Sequence, residues 1–380
     1  MNKKKILLSP PHMSGKEIKF VNDAFETNWI APVGPHIDLF EKELSNIHHN
    51  RHVAALQSGT SAIHLALNLL GVNNDDIVLC QSFTFVGSVN PIRYLGAVPN
   101  FIDSEVETWN MCPNYLERAI IKNLKFGKKP KAIIVVNLYG MPAKMPDIMK
   151  LSEKYDIPVI EDAAESLGSK INGKMTGCFG DYGILSFNGN KIITTSGGGA
   201  ILAKDNQKIK RVKYLATQAK QNNVYHYEHT EIGYNYRISN ISAAIGLGQL
   251  SVLNERIKKR REIHDFYFQI LGEVDGISFL NEPNGFFSNR WLTTIIIDKL
   301  KFSNIDREKV RIELLKENIE SRPLWKPMHM QPIYKNCSFY GADTCEKIFN
   351  NGLCLPSGSS LDEYDKDRIR KILSNIFNLD

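Results

Sequence analysis

Residues 131–163 read KAIIVVNLYGMPAKMPDIMKLSEKYDIPVIEDA, and this stretch decides the fold class. Its two ends, residues 131–140 and 157–163, are nearly continuous apolar runs, which indicates strands buried on both faces. Between them, residues 145–156 have the apolar spacing of an amphipathic helix. A strand, a helix and a second strand in this order predict neighbouring parallel strands covered by a helix.

The same alternation extends along the first two-thirds of the chain. Further strands are predicted over residues 76–83, 98–103, 182–187 and 199–205, and a further helix over residues 61–71. Because strands and helices alternate, the predicted fold is α/β, with a large, mostly parallel mixed sheet that has helices on both faces.

A smaller second domain is predicted at the C-terminal end of the chain. The periodic stretch 238–271 is long enough to lead out of the first domain, and a predicted strand at 290–298 and a predicted helix at 307–318 follow it. We therefore expect a large domain over residues 1–254 and a smaller α+β domain over residues 255–380.

The composition is typical of a globular protein. Of the 380 residues, 43% are hydrophobic and 23% are charged, and no apolar run has the length of a membrane helix. The basic N-terminus precedes an apolar run of only three residues, too short for a secretory signal, so we expect a cytoplasmic protein. The six cysteines form no CxxC pair, which predicts free thiols rather than a zinc site or disulfides.

The formal net charge of +6 is modest, and the densest basic run is RIKKRRE at residues 256–262. Nucleic acid could bind such a run, but no aromatic stacking residues accompany it, so the solvated or interface face of a helix is favoured. An anionic small substrate would suit the charge equally well. The histidine-containing runs at 48–52 and 226–229 are interpreted as surface loops, and no metal is expected.

Unusual residues follow several of the predicted strands. Asp162 lies at the end of the strand 157–163, Phe85 follows an earlier strand, Ser186 closes a later one and Lys191 lies just beyond it. Ligands of open α/β sheets bind at the carboxyl ends of the strands. We therefore expect these side chains to converge at one edge of the sheet.

Gly59, Thr60 and Ser61 come directly before an apolar-periodic helix. The free amides and positive dipole at a helix start suit a phosphate, although this stretch in isolation favours an ordinary N-cap by Ser58 or Thr60. The glycines at 197–199, after Lys191, raise the alternative of a nucleotide loop, but neither a GxGxxG nor a GxxxxGK[ST] pattern is present.

Asp162 and Lys191 suggest a particular cofactor when they are taken together. A carboxylate at the end of a buried strand needs a cation or a donor, which could be a protonated pyridine nitrogen, a helix start or a magnesium ion. Lys191 could be a surface lysine or an amine that bonds covalently to a carbonyl cofactor. A phosphate cradle, a carboxylate and a lysine in this order favour pyridoxal 5'-phosphate.

The motifs that contain these residues resemble those of the DegT/StrS-type nucleotide-sugar aminotransferases, which have the aspartate-aminotransferase fold (fold type I). The similarity extends over essentially the whole chain. It includes SGTSAIHLAL (58–67), EDAAESLGS (161–169), SFNGNKIITTSGGG (186–199), GYNYRISNISAA (233–244) and SRPLWKPMHMQP (321–332).

The resemblance implies a role for each candidate residue. Lys191 would bond covalently to pyridoxal 5'-phosphate, Asp162 would pair with its pyridine nitrogen, Phe85 would stack on its ring, and Glu165 would reach its hydroxyl or the substrate. The residues implied to contact its phosphate are Gly59, Thr60, Ser61 and Ser186. Asn235 would contact the phosphate in the neighbouring subunit, which implies a homodimer with shared active sites. Trp325 and His329 would lie near the sugar.

The resemblance also implies a reaction. The amino group of L-glutamate would move to C4 of a UDP-2-acetamido-2,6-dideoxy-4-keto-hexose, towards bacillosamine- or legionaminic-type sugars. Alternatives are the GDP-4-keto-6-deoxymannose (perosamine-type) and dTDP-keto-sugar aminotransferases. Some relatives have histidine in place of the lysine and dehydrate a sugar, so Lys191 favours amine transfer. Neither nucleic acid nor a membrane is expected as a partner.

Overall fold

The computed structural model describes residues 4–221 and 225–379. Its α-helices are α1 (Glu17–Glu26), α2 (Pro35–Ile47), α3 (Gly59–Leu69), α4 (Asn90–Tyr94), α5 (Pro113–Lys125), α6 (Met145–Tyr155), α7 (Asn206–Ala216), α8 (Asn240–Leu250), α9 (Leu253–Leu271), α10 (Arg307–Lys316), α11 (Thr344–Asn351) and α12 (Glu363–Phe377). Its strands are β1 (His52–Leu56), β2 (Ile77–Gln81), β3 (Val98–Ile102), β4 (Ala132–Val136), β5 (Val159–Asp162), β6 (Lys170–Ile171), β7 (Lys174–Met175), β8 (Tyr182–Ser186), β9 (Gly199–Ala203), β10 (Ile277–Phe279), β11 (Phe286–Phe287), β12 (Thr293–Ile297), β13 (Arg322–Pro323), β14 (Phe339–Tyr340) and β15 (Gly352–Leu355).

The largest sheet has eight strands in the order β1-β9-β8-β5-β4-β2-β3-β14. Within it, β9 pairs antiparallel with both of its neighbours, and the other pairs are parallel. The predicted α/β fold with a mostly parallel mixed sheet is therefore confirmed. The sequence analysis missed β1 and β14, because β1 contains two alanines and β14 has only two residues.

The stretch 131–163 forms the centre of this sheet. In the parallel register of β4 and β5, Val136 lies opposite Asp162. The connecting helix α6 buries Met145 and Ile148 and ends at Asp156, whose backbone is left-handed at φ 50° and ψ 59°. This geometry turns the chain back into β5, so that the carboxylate of Asp162 lies at the carboxyl edge of the sheet.

A second sheet of four strands, β10-β12-β15-β13, is antiparallel throughout and lies entirely beyond residue 254. Its apolar face packs with residues of α9, α10 and α12. Between β13 and β15 the chain returns briefly to the large sheet, where β14 pairs with β3. The division of the chain into residues 1–254 and 255–380 stays a prediction.

The periodic stretch 238–271 forms two helices, α8 and α9, rather than one. The basic run lies on α9, where Lys258 and Lys259 point to solvent but Arg256 and Arg260 are 3% and 1% exposed. Of the interpretation as a solvated or interface face of a helix, the solvated part is therefore right for the two lysines and wrong for Arg256 and Arg260. No helix in the described parts of the chain is long and apolar enough to cross a membrane.

His48, directly after α2, generates a prediction about pH and stability. Burial is the main reason that the pKa of its imidazole falls from 6.5 to about 4, while the hydrogen bond to the Leu44 carbonyl raises this pKa and the charges of His49 and Arg51 lower it. At pH values between these two pKa values, His48 is protonated in the unfolded chain but not in the folded chain, so the folded state loses stability as the pH falls. We expect His48→Gln to reduce the loss of unfolding free energy between pH 7 and pH 5 by about 2 kcal/mol.

Urea denaturation of both proteins at the two pH values measures this difference. The carboxylates titrate alike in both proteins, so comparing them isolates the histidine. An equal pH dependence in the wild type and the variant would contradict the prediction.

Candidate active site

A cavity of about 300 Å³ opens at the carboxyl ends of β5 and β8, beside the start of α3. Its lining contains eight of the eleven residues predicted from the sequence, namely Gly59, Thr60, Phe85, Asp162, Glu165, Ser186, Lys191 and Trp325. This volume is at the lower end of the range found for small-molecule sites. Residues that are up to 266 positions apart in the chain therefore meet at one edge of the sheet, as the strand-end argument predicted.

The start of α3 bears on both interpretations of SGTSA (58–62), an N-cap and a phosphate site. Ser58 is the N-cap, and its Oγ accepts a hydrogen bond from the Ser61 amide at 3.0 Å, while Ser61 Oγ accepts one from the Ser58 amide at 3.2 Å. The N-cap interpretation is therefore correct. The amides of Gly59 and Thr60, in the first turn, have no acceptor within the helix and border the cavity, so the same helix start also suits an anion.

Gly199, the first residue of β9, packs directly against this helix start. A Cβ atom at Gly199 would lie 2.3 Å from the carbonyl carbon of Ser58 and 2.4 Å from the nitrogen of Gly59. Both contacts are with backbone, which cannot rotate away. Gly197 has more space, because the nearest atom to its Cβ position is 4.0 Å away. The glycine run therefore permits a close backbone approach rather than forming a nucleotide loop.

The carboxylate of Asp162 is 4% exposed. Ser88 Oγ donates a hydrogen bond to its Oδ2 at 2.7 Å, and the Ala164 amide donates to its Oδ1 at 3.1 Å. Burial raises the pKa of this carboxyl, although the two hydrogen bonds and the charge of Lys191 act in the opposite direction. A further cation at this carboxylate would therefore be strongly favoured.

Lys191 contacts a second buried carboxylate. Its Nζ lies 3.4 Å from Glu165 Oε1, and Glu165 Oε2 accepts a hydrogen bond from the Tyr139 amide at 2.7 Å. The Tyr139 backbone is left-handed (φ 55°, ψ 18°), which is rare for a bulky residue. Burial raises the pKa of Glu165, while Lys191 and the Tyr139 amide lower it.

Aromatic side chains form the opposite wall of the cavity. Phe85 is 52% exposed, and its ring centroid lies 5.4 Å from that of Trp325, which in turn stacks on Tyr139 with centroids 6.2 Å apart. The Nζ of Lys191 lies 4.1 Å from the ring centroid of Trp291. An exposed aromatic face beside the lysine suits a flat, conjugated ligand.

Tyr139 and Trp291 are not among the site residues predicted from the sequence. Both lie in stretches that were interpreted only as strands, 131–140 and 290–298. No periodicity could reveal them, because Tyr139 is placed by a left-handed turn after β4, and Trp291 reaches the cavity from the start of another sheet. Ser88, the hydrogen-bond donor to Asp162, was also missed, since a single serine after a strand has no distinguishing pattern.

Three predicted residues are not in the cavity lining. Ser61 is occupied by the N-cap interaction, and Asn235 is exposed beside an isolated bridge to Thr217. His329 Nδ1 hydrogen-bonds to Ser82 Oγ at 2.7 Å, and its Nε2 lies 3.2 Å from Glu346 Oε1. The roles of Ser61, Asn235 and His329 therefore stay predictions.

Comparison with known proteins agrees with this geometry. Residues 11–374 match the model of the DegT/DnrJ/EryC1/StrS aminotransferase family. The chain belongs to this family. The predicted resemblance is therefore confirmed, and the match covers both the edge of the large sheet and the second sheet.

Three relatives show what this chain is similar to. EpsN of Bacillus subtilis (strain 168), provisionally named a pyridoxal phosphate-dependent aminotransferase, is 51% identical over 99% of this chain and 96% of its own. The GDP-perosamine synthase of Escherichia coli O157:H7 is 36% identical over 92% and 93% of the chains. The UDP-4-amino-4,6-dideoxy-N-acetyl-beta-L-altrosamine transaminase of Campylobacter jejuni serotype O:23/36 is 32% identical over 80% and 79%.

A family member of known structure has the same fold. The DegT DnrJ EryC1 StrS aminotransferase from Brucella abortus superposes with a TM-score of 0.88 at 29% identity, over 96% of this chain and 95% of its own. The predicted fold of a pyridoxal phosphate-dependent sugar aminotransferase is therefore confirmed.

The residues that line the cavity fit pyridoxal 5'-phosphate. The open amides of Gly59 and Thr60 suit its phosphate, and the buried Asp162 carboxylate, whose pKa burial raises, suits a protonated ring nitrogen. Lys191 enters the same cavity. Within residues 4–221 and 225–379, no group of three or more histidines, cysteines or carboxylates is placed to hold a metal ion.

The two glycines of the run provide a matched pair of variants. We expect Gly199→Ala to lower the free energy of unfolding by about 2 kcal/mol and to weaken cofactor binding, because the added methyl group overlaps the backbone at Ser58 and Gly59. Gly197→Ala serves as the control for stability, because its methyl group meets no protein atom closer than 4.0 Å, although Gly197 also lines the cavity. Urea denaturation and a cofactor titration measure the two effects, and equal losses of unfolding free energy in the two variants would contradict the assignment.

Proposed function

We propose that this protein is a pyridoxal phosphate-dependent aminotransferase that moves the amino group of L-glutamate to C4 of a UDP-2-acetamido-2,6-dideoxy-4-keto-hexose. One observation carries the proposal: a buried carboxylate, a lysine amine and an open helix start line one cavity at the edge of the sheet. The family match supports amine transfer to a sugar nucleotide.

Asp162 and the start of α3 hold the two ends of the cofactor in this proposal. When bound, pyridoxal 5'-phosphate supplies an electron sink and a carbonyl for amines. Asp162 keeps the ring nitrogen protonated, because its buried carboxylate is stabilised by an adjacent positive charge. Ser88 and the Ala164 amide orient this carboxylate through one hydrogen bond each.

Lys191 is the proposed acid–base group. Its amine takes a proton from the α-carbon of glutamate in the first half of the reaction and returns a proton to C4 of the sugar in the second half. Glu165, at 3.4 Å, orients the amine, and the Trp291 ring shields it from water. The side chain of Lys191 is only 12% exposed, which suits proton transfer without exchange with solvent.

UDP is proposed as the nucleotide because the sequence motifs are most similar to those of the enzymes that act on UDP-linked sugars. A second candidate, a GDP-4-keto-6-deoxymannose aminotransferase, is favoured by the 36% identity to a GDP-perosamine synthase. The UDP-altrosamine relative, at 32%, supports the first. The dTDP-keto sugars are the third class to be tested.

The proposal includes a homodimer in which Asn235 completes the partner's phosphate site. Asn235 is exposed and lies outside the cavity of its own chain. Close to it in the chain, the side chain of Ile232 is 82% exposed. Trp29 and Val33 are 44% and 58% exposed. The carbonyl of Trp29 accepts a hydrogen bond from the Asn240 side chain.

A substrate panel tests the reaction. With purified protein, pyridoxal 5'-phosphate and L-glutamate, we expect 2-oxoglutarate and an amino sugar with the UDP-4-keto sugar and at least tenfold lower kcat/KM with the GDP- and dTDP-linked sugars. Lys191→Ala should lower the rate at least a thousandfold, because the proton-transfer group is removed. Lys170→Ala is the control, since Lys170 lies outside the cavity. Preference for the GDP sugar would select the second candidate, and no amine transfer to any sugar would refute the function.

A complementation experiment tests the shared site. Lys191→Ala and Asn235→Ala should each be nearly inactive alone, because each removes one half of a site that two chains form. When the two variants are co-expressed, half of the dimers are mixed and one site in each is intact, so about a quarter of the activity should return. Mixed dimers without recovered activity would contradict the assignment of Asn235 to the partner's site.

A further inference from the structure

The carbonyl oxygen of Asn190, the residue before Lys191, is held from two directions. Ser9 Oγ donates a hydrogen bond to it at 2.8 Å, and the indole Nε1 of Trp291 donates another at 2.8 Å. A carbonyl oxygen has two lone pairs, so both are used. Asn190 lines the active-site cavity and also a second cavity beside the N-terminal arm. Because open space borders it on both sides, hydrogen bonds rather than packing must fix this peptide.

One buried arginine orders both donors. Arg260, on α9, donates through Nη1 to the Trp291 carbonyl and, at 3.1 Å, to the Ser357 carbonyl. Its Nη2 donates to Ser9 Oγ at 2.9 Å. The serine hydroxyl therefore accepts from Arg260 and donates to Asn190, and the network connects α9, the N-terminal arm and the loop of Lys191.

Arg260 is an unusual residue in its surroundings. It is 1% exposed, and among the described residues no carboxylate forms an ion pair with it. Burial and the neighbouring Arg256 lower the pKa of its guanidinium to about 9, so it remains charged at neutral pH. A buried charge without a counterion is costly. The acceptors that stabilise it are neutral oxygen atoms, and two of them belong to the residues that hold Asn190.

The N-terminal arm is itself fixed in place. Ile6 forms an isolated parallel bridge with Ile319, and the Leu8 amide donates to Glu320 Oε2 at 3.1 Å. Ser9 is 9% exposed, so its hydroxyl is presented to Asn190 from a held backbone. Ser9 of the arm sequence LSPPHMSGKE (residues 8–17) therefore has a structural role, because its hydroxyl joins Arg260 to the Asn190 carbonyl.

We propose that Arg260 is a positioning residue for amine transfer: through Ser9 and Trp291 it fixes the Asn190 carbonyl and so the direction in which Lys191 enters the cavity. The proposal rests on the proposed role of Lys191. The same tryptophan whose indole holds Asn190 also places its ring 4.1 Å from the lysine Nζ. Small displacements of a reacting group cost large factors in rate, so a network remote from the chemistry can control it.

Two variants test the network and one serves as a matched control. Ser9→Ala removes a single hydroxyl, and Arg260→Lys keeps the charge but loses the planar fork that reaches three acceptors. Arg256→Lys is the control: this arginine lies one turn earlier on α9, is also buried, and donates to the His12 carbonyl on the same arm, but its hydrogen bonds do not involve Ser9, Trp291 or Asn190. Thermal unfolding of all three variants monitors the fold.

We expect Ser9→Ala and Arg260→Lys to lower kcat about tenfold or more, with the KM values for glutamate and the keto sugar changed less than about twofold. In the cofactor-free protein, the Lys191 amine should react several-fold faster with a small acylating reagent, as measured by mass spectrometry, because the loosened loop exposes it. Arg256→Lys should change neither quantity.

Native kcat and native Lys191 reactivity in both network variants would overturn the proposal. Equal losses in Arg256→Lys would also overturn it, since they would show a general packing role for α9. The reactivity measurement needs no substrate. If it changes as expected while no keto sugar is aminated by the wild type, the positioning of Lys191 stands and the proposed function fails.

Discussion

The carboxylate of Asp162 is buried at the end of a central strand, and the arrangement of the site follows from that constraint. Two hydrogen bonds, from Ser88 and Ala164, do not offset the loss of solvation, because the pKa of the carboxyl remains raised. A cation beside this carboxylate would therefore stabilise it beyond what Lys191 already contributes. A protonated ring nitrogen would satisfy this carboxylate and would become the electron sink that amine transfer needs.

The two sheets contribute different parts of the site. The carboxyl edge of the large sheet brings together the open start of α3, Asp162 and Glu165, because parallel strands end together there. The region of the second sheet supplies Trp291, whose ring covers the lysine and whose indole holds the preceding peptide. The residue before Lys191 is thus held from the region of the second sheet and from the N-terminal arm, and Arg260 connects Trp291, Ser357 and Ser9 through hydrogen bonds to neutral oxygens.

Much of this could be predicted from residue patterns. The central strand–helix–strand unit, the position of Asp162 at its end and the convergence of Phe85, Ser186 and Lys191 follow from local periodicity and from parallel topology. Other features left no local signal. The left-handed turn at Tyr139 occurs within an apolar run, and Arg256 and Arg260 are identical in pattern to the exposed lysines between them.

The sequence by itself determined the class of fold through hydrophobic periodicity, the family through its motifs, and most of the residues at the edge of the large sheet through the strand that each one follows. Only the tertiary structure decided which side chains complete the site. Ser9 and Trp291, which lie more than 250 residues apart in the chain, both donate hydrogen bonds to the Asn190 carbonyl, and Arg260 donates to both of them. Which neutral oxygens surround this buried cation depends on how the two sheets pack. No local pattern encodes that packing.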